Sequence, residues 1–277
     1  MTASRTSPAA VSTAGSQAVD RAAALVALVV ESGRPRTFTS LVDELGLARS
    51  TTSRLLLALE RNRLVHRDSA GHFRPGALFA LYAARPDAAA DLAELAAPTL
   101  GRLGELTGET VNLAVARGQT IVQVAQVDSH FLLGATNWVG VDVPAHCSAL
   151  GKALYAADGL DLPTGPLEAR TSHSHTTRAA LDRDLAQVAR RGWALAWEEL
   201  EEGLVAVAAP VRSSGGTGGP GPAIAAISVS GPTARLTRSR IAAIGELLVT
   251  ETRSLSHLLG QGTHSASPRS TGKEGAA

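Results

Sequence analysis

The sequence predicts an α+β protein: an N-terminal winged helix-turn-helix joined by a linker helix to an α/β domain with a mainly antiparallel sheet. Three observations predict it. From Thr39 to Phe73 the chain reads TSLVDELGLARSTTSRLLLALERNRLVHRDSAGHF, a short helix signal, a glycine turn, an Arg-bearing helix and a hairpin signal. From Thr110 onward, short apolar alternations are joined by turns, and the βαβα rhythm of a doubly wound parallel sheet is absent. Finally, the basic charge is local. Net charge is only +1, yet six arginines (49, 54, 61, 63, 67 and 74) stand against Glu60 and Asp68, an excess of +4 in 26 residues. Such an excess suits a phosphate-facing surface.

Composition excludes several classes. A length of 277 residues is enough for about two domains. The single cysteine, Cys147, rules out an intrachain disulfide framework and a Cys-based zinc site, and suits a reducing cytoplasm. The opening MTASRTSPAAVSTAGSQ has no apolar core and does not read as a signal peptide. The longest apolar run, Ala22 to Val30, is nine residues, far short of the roughly 20 that span a bilayer. A soluble cytoplasmic protein with no membrane partner is expected. The only lysines are Lys152 and Lys273, and the wealth of Arg, Ala and Gly fits a GC-rich coding bias. There is no internal repeat.

Taken in order, residues 1–15 are small and polar and are expected to form a disordered tail. The winged domain is expected over 16–76. Ser16 caps a first helix whose buried face is Val19, Ala23, Val26, Ala27 and Val30, and Gly33 and Pro35 stop it. Thr39 caps the second helix, with Leu41, Val42 and Leu45 inward, and Gly46 supplies the turn. Ser50 caps the third helix, which buries Leu55, Leu56 and Leu59 and ends near Asn62. Leu64 and Val65 begin a strand, Asp68 to Gly71 turn it, and His72 to Arg74 return. A linker helix covers 77–86. The second domain covers 87–260. Asp87 caps a long helix from Ala88 to Leu106 that buries Leu92, Leu95, Leu103 and Leu106, with Pro98 inside it.

Strands are then expected at 110–115, 120–127 and 131–136, a helix at 148–157, a stronger helix at 178–191, and strands at 193–198, 205–211 and 223–230. The run Ser213 to Pro222 (SSGGTGGPGP) reads as a hairpin loop. A last amphipathic helix spans 238–259, and 261–277 is expected to be a disordered tail.

The third helix carries the strongest chemistry. It opens with Arg49, Ser50, Thr51, Thr52 and Ser53, short polar groups able to approach base edges and phosphates, on a helix N-terminus that favours anions. Arg54 sits one turn in, on the face of Thr51, and can reach a guanine with a bidentate fork. Thr39 from the second helix, and Arg67, His72 and Arg74 from the hairpin, complete the DNA-binding set. The competing reading is a three-helix interaction module whose arginines are a solvated face.

Three other clusters read as structural. In His146-Cys147-Ser148 adjacent side chains diverge and no orienting acid is evident. His173 and His175 lack a third metal ligand. Glu198, Glu199, Glu201 and Glu202 read as a solvated turn. Nothing matches a Walker loop, a dinucleotide fingerprint or HExxH, so neither a cofactor nor enzyme activity is expected. An enzyme or sensor module with an appended DNA-binding domain is the alternative.

GLARSTTSRLLLALERNRLV, VPAHCSALGKALYA, RGWALAWEELEEGLVAVAAPV and AAISVSGPTARLT follow one another in the chain, and together the sequence resembles the IclR family of bacterial transcriptional regulators from about Ser16 to Leu259. The resemblance implies a GAF-like effector domain after the winged helix. It also implies a homodimer or tetramer at a palindromic double-stranded operator, commonly as a repressor, answering a small organic or aromatic acid. The effector-binding residues it implies are Leu132, Ala135, Val143, Ala149, Leu150, Leu204, Ala206, Ser228 and Ser230. Where the family often has a short acidic or amide residue, this chain has Ala196, which points to a larger or more apolar ligand than a two- or three-carbon acid.

Overall fold

The computed structural model describes residues 13–85, 88–131, 137–214 and 220–260. Residues 1–12 and 261–277 of the expected terminal tails, the Asp87 cap, most of the expected 131–136 strand and the centre of the glycine-rich loop lie outside them, while residues 13–15, expected in the tail, are helical. The chain divides into two compact units, the first running to Leu92 and taking in Pro220–Pro222 as well, the second holding the other described residues from Ala93 on.

The first unit holds α1 (Thr13–Glu31), α2 (Phe38–Leu45), α3 (Arg49–Arg61), β1 (Val65–Arg67), β2 (Phe73–Pro75) and α4 (Ala77–Ala83). Its core is Leu25, Val29, Leu41, Leu56, Leu59, Val65 and Phe73. The buried face of α1 is therefore not the expected one. Leu25 and Val29 are buried, with Ala22 and Val26 beside them, while Val19, Ala23, Ala27 and Val30 are exposed. The helix also starts at Thr13, so Ser16 is not its cap.

Two more caps move. Thr37, not Thr39, caps α2, its side chain accepting from Ser40 N at 3.1 Å. This shift lets Phe38 enter the helix and pack on the core. The third helix begins at Arg49 with Ala48 as its cap and no side-chain hydrogen bond there, so Ser50 lies in its first turn. Gly46 does make the corner, at φ 62° and ψ 25°, a left-handed conformation that disfavours a Cβ.

The hairpin pairs antiparallel, Val65 with Pro75 and Arg67 with Phe73. Arg36 extends it, exchanging backbone hydrogen bonds with Phe73 (2.9 and 2.7 Å). Gly76 closes the hairpin where a Cβ would lie 2.1 Å from the Arg63 carbonyl oxygen, so any side chain there would push the hairpin off α3.

In the second unit, α5 (Ala88–Thr107) leads to β3 (Thr110–Arg117) and β4 (Thr120–Val127). Then follow β5 (Asp142–Pro144), a 3-10 turn (Ala145–Cys147), α6 (Ala149–Tyr155) and α7 (Arg178–Arg191). The remainder is β6 (Ala194–Trp197), β7 (Leu204–Ser214), β8 (Pro220–Pro232) and α8 (Arg238–Gly260). α5 buries Ala96, Leu100 and Leu103, whereas Leu95 and Leu106, expected inside, are exposed. The six strands run in the order β5-β4-β3-β8-β7-β6. β3 pairs antiparallel with both β4 and β8, β4 with β5, and β6 with β7. β5 has no counterpart in the sequence reading, because three residues of which one is a proline give no alternation to detect.

Buried Glu109 fixes the entry to β3. It accepts two hydrogen bonds from Arg235, at 2.8 and 2.7 Å. The main core joins α6 and α7 to the sheet through residues such as Ala114, Ile121, Leu154, Leu181 and Ala208. Among the described residues no helix is long and apolar enough to cross a membrane.

Candidate functional site

Two sites stand out, one in each unit. In the first, α3 buries Thr52, Leu56 and Leu59 and exposes Arg49, Ser50, Ser53, Arg54 and Leu57, with Thr51 half-buried. Ser50, Ser53, Arg54 and Leu57 follow the i, i+3, i+4, i+7 spacing and form one outward ridge. Thr52, expected to touch DNA, is fully buried and its hydroxyl donates to Ala48 O at 3.2 Å, which removes it from the surface. Arg49 lies over the Phe38 ring at 5.1 Å, so its head is steered across the α2–α3 corner. Thr39 is exposed on the first turn of α2.

The hairpin tip is organised by Asp68. Its Oδ1 accepts from the backbone N of Ala70 and His72, and its Oδ2 from Arg74 Nε at 3.1 Å. The His72 N–H bond first of all, with Arg74 and Ala70 behind it, holds the Asp68 carboxyl below its usual range against a smaller desolvation effect. Arg67 Nε donates to Gly71 O at 3.2 Å and its guanidinium lies 5.8 Å from the Phe73 ring. Arg67 and Arg74 are exposed and His72 is half-buried, all on one short tip.

The second site is a cavity whose empty space, open mouth included, comes to about 510 Å³. Of the nine residues assigned to a ligand from sequence, Val143, Ala149, Leu150, Leu204, Ala206, Ser228 and Ser230 line it together. Leu132 and Ala135 lie outside the described residues. The sequence reading missed Asn112, Gln123, Trp138, Ser148 and Leu200 in the wall, and Ala196 lines it as well.

The polar groups in this wall form a strip across three neighbouring strands. Gln123 is on β4, Asn112 on β3, and Ser228 and Ser230 on β8, where residues two apart share a face. Asn112 Nδ2 donates to Ser230 Oγ at 3.1 Å. Ser148 Oγ accepts from Gly151 N at 3.0 Å as the cap of α6. In both serines an acceptor position is taken, which leaves the hydroxyl proton to be donated. Among the described residues no lysine or arginine lines the cavity.

Beside α6 lies a buried ionic cluster that the sequence reading did not foresee. Lys152, fully buried, donates to Asp184 Oδ2 at 2.6 Å and to both oxygens of Glu199 at 2.7 and 2.9 Å. His175 Nε2 lies 3.3 Å from the same Asp184 oxygen. Burial would raise the Asp184 carboxyl, but His175 and Lys152 outweigh it and hold it at about 2. His175, Asp184 and Glu199 bring potential metal-ligand atoms within 4.8 Å of one another, yet Lys152 Nζ already sits among them. The acidic run is thus a solvated turn only in its second half, where Glu201 and Glu202 are exposed. Glu199 is buried, and Glu198, at φ 57°, accepts from Trp197 Nε1 and from Gly203 N. His173 is exposed and takes no part.

The His146-Cys147 pair sits in the 3-10 turn between β5 and α6. His146 Nε2 is 2.8 Å from Glu168 O, and burial pushes the Cys147 thiol up to about 11. Neither is set up to attack a substrate.

Comparison with known proteins places both units of the chain in a family. The model of the IclR helix-turn-helix domain matches residues 18–69, and that of the bacterial transcriptional regulator IclR C-terminal domain matches residues 88–257. The HTH-type transcriptional regulator BhcR of Paracoccus denitrificans is 36% identical, over 87% of each chain. The HTH-type transcriptional repressor AllR of Escherichia coli K12 is 31% identical, over 90% of this chain and 93% of its own. Among solved structures, the Thermotoga maritima IclR superposes with a TM-score of 0.56 at 20% identity, covering 89% of this chain and 100% of that one. An IclR homolog from Microbacterium hydrocarbonoxydans, complexed with 4-hydroxybenzoate, gives 0.53 at 23%, covering 87% and 98%. At these identities the structural likeness speaks to the fold alone.

Proposed function

Since the chain belongs to the IclR family of bacterial transcriptional regulators, we propose that it is a repressor that reads a palindromic operator as a homodimer or a pair of dimers. A small organic acid in the C-terminal cavity controls that binding. The observation that carries the DNA half is the outward ridge of α3, where Ser50, Ser53 and Arg54 are exposed at a helix N-terminus that no side chain caps. Arg54 and Thr51 are the base-reading residues. Arg49, Ser50, Thr39, Arg67, His72 and Arg74 hold phosphate or the minor groove.

The cavity supports the ligand half. Ser148, Ser228 and Ser230 can donate to a carboxylate, and Trp138, Val143, Leu150, Leu200 and Leu204 cover an apolar body. Ala196 in the wall favours an acid with an aromatic or aliphatic body, as does the 4-hydroxybenzoate held by the Microbacterium relative. Ligand binding changes how the C-terminal domains pair, and α4 passes this to the spacing of the two α3 helices.

Fluorescence anisotropy of the full chain on DNA from its own upstream region tests the DNA reading. Affinity should fall by about 10³-fold or more between roughly 50 and 200 mM salt, as expected for several neutralised phosphates. Absence of binding, or binding indifferent to salt, would instead indicate a protein-interaction module.

A further inference from the structure

Among the described residues four buried side-chain polar atoms lack a hydrogen-bond partner: Asn112 Oδ1, Gln123 Oε1, Gln126 Oε1 and Arg191 Nη2. Two of these four belong to residues that line the one cavity already assigned to a ligand. Buried amides are nearly always paired, so two orphans in one wall call for an explanation. The strand pairing brings them close. Gln123 is opposite Ala114, Ala114 shares its β3 face with Asn112, and a bulge separates this pair from Asn112 opposite Gln126, so Gln123 and Asn112 look into one face of the β3–β4 ladder. Both residues are 6% exposed or less, so bulk water does not satisfy them.

A carboxylate offers only acceptors, and it therefore cannot pair two carbonyl oxygens. The serines have the opposite character. Ser230 accepts from Asn112 Nδ2 and Ser148 accepts from Gly151 N, so each is left with a proton to give. The wall is thus divided into a donor side, of Ser148, Ser228 and Ser230, and an acceptor side, of Asn112 and Gln123.

We propose that the ligand is a hydroxy acid. Its carboxylate meets the serine hydroxyls and its hydroxyl donates to the Asn112 and Gln123 carbonyl oxygens. The proposal rests on the reading of the cavity as a small-acid site and sharpens it. The Asn112 amide is oriented by its Nδ2 donation to Ser230 Oγ, and at Gln123 a hydroxyl, which both donates and accepts, serves whichever amide atom faces it. A hydrogen or methyl group in its place can do neither. The site would then select its ligand by what the wrong ligand leaves unpaired, a stronger filter than apolar fit.

Calorimetry on the full chain with matched acids is the test: glycolate against acetate, lactate against propionate, and 4-hydroxybenzoate against benzoate. In at least one pair the hydroxylated member should bind about tenfold tighter or more, the effect of leaving a buried acceptor unpaired. Gln123→Met combined with Asn112→Leu keeps the shapes and removes the acceptors, and should narrow that ratio to about threefold or less. Gln123→Met alone should melt no lower than the native chain when empty, since it removes an unpaired polar atom from a buried wall. Binding of both members of every pair alike would overturn the hydroxy-acid assignment while leaving the small-acid site standing. Failure of all six acids to bind would overturn the small-acid reading and this assignment with it. A variant that retains the full ratio would also overturn it, by removing the two amides from recognition.

Discussion

Lys152→Met is expected to destabilise the C-terminal unit by about 3–5 kcal/mol, the usual effect of removing one partner from a buried ionic cluster. Met keeps most of the volume, so the loss reports charge rather than a cavity. Lys152 is fully buried and holds Asp184 and Glu199 at 2.6 and 2.7 Å. Without it two carboxylates face each other with only His175 to answer them. Urea unfolding measures the loss, and adding Glu199→Gln to the variant should restore a large part of it. A loss below about 1 kcal/mol would match a solvent-screened pair and contradict the burial.

The pH dependence carries a sign. The folded Asp184 carboxyl sits at about 2, below its ordinary value of 3.8. Its contribution is therefore fully present above about pH 4 and is lost as the pH falls through about 2. In Lys152→Met the remaining carboxylates repel, and protonation relieves them. The gap in stability between native chain and variant should therefore narrow on acidification through that window.

Arg54→Ala has the second large expected effect, on the operator rather than on folding. Arg54 is exposed on the outward ridge of α3, so its removal leaves no cavity in the core. A bidentate contact to guanine is worth about 1–3 kcal/mol of discrimination. A two-fold operator meets the residue twice, so specific binding should weaken by about 2–6 kcal/mol, while binding to unrelated DNA falls far less. Anisotropy on the operator and on scrambled DNA separates the two. Equal losses on both would assign Arg54 to phosphate and leave base reading to other residues of the ridge.

Much of this was legible in sequence, and the misses have physical reasons. The order of elements from α2 to the hairpin follows from Gly46, the spacing of Leu56 and Leu59, and the Asp68 to Gly71 turn. The face of α1 did not follow, because AAALVALVV is apolar all round and periodicity cannot choose a side. Packing chose Leu25 and Val29 instead. In the run STTS any of the four hydroxyls can look outward, and only the turn of α3 decides that Thr52 looks inward. Thr37 and Thr39 flank Phe38, and the preference of that ring for the core selects the earlier cap.

The cavity divides in the same way. Seven of its wall residues follow from resemblance to relatives. Asn112 and Gln123 stayed hidden because a polar residue in an alternating strand reads as the solvent face, while here helix α6 covers that face of the sheet. Lys152 and Glu199 are 47 positions apart, and no local pattern announces such a pairing.

One chain couples a DNA-reading helix to a ligand cavity, and the coupling is read by measuring operator affinity with and without a saturating acid that binds the cavity, and acid affinity with and without operator. Thermodynamic linkage requires the two factors to be equal, and regulators of this kind show about 5–150-fold. Equal factors in that range are expected, both lost when the acid-binding wall is disrupted. An acid that fills the cavity yet leaves operator affinity unchanged would contradict the coupling.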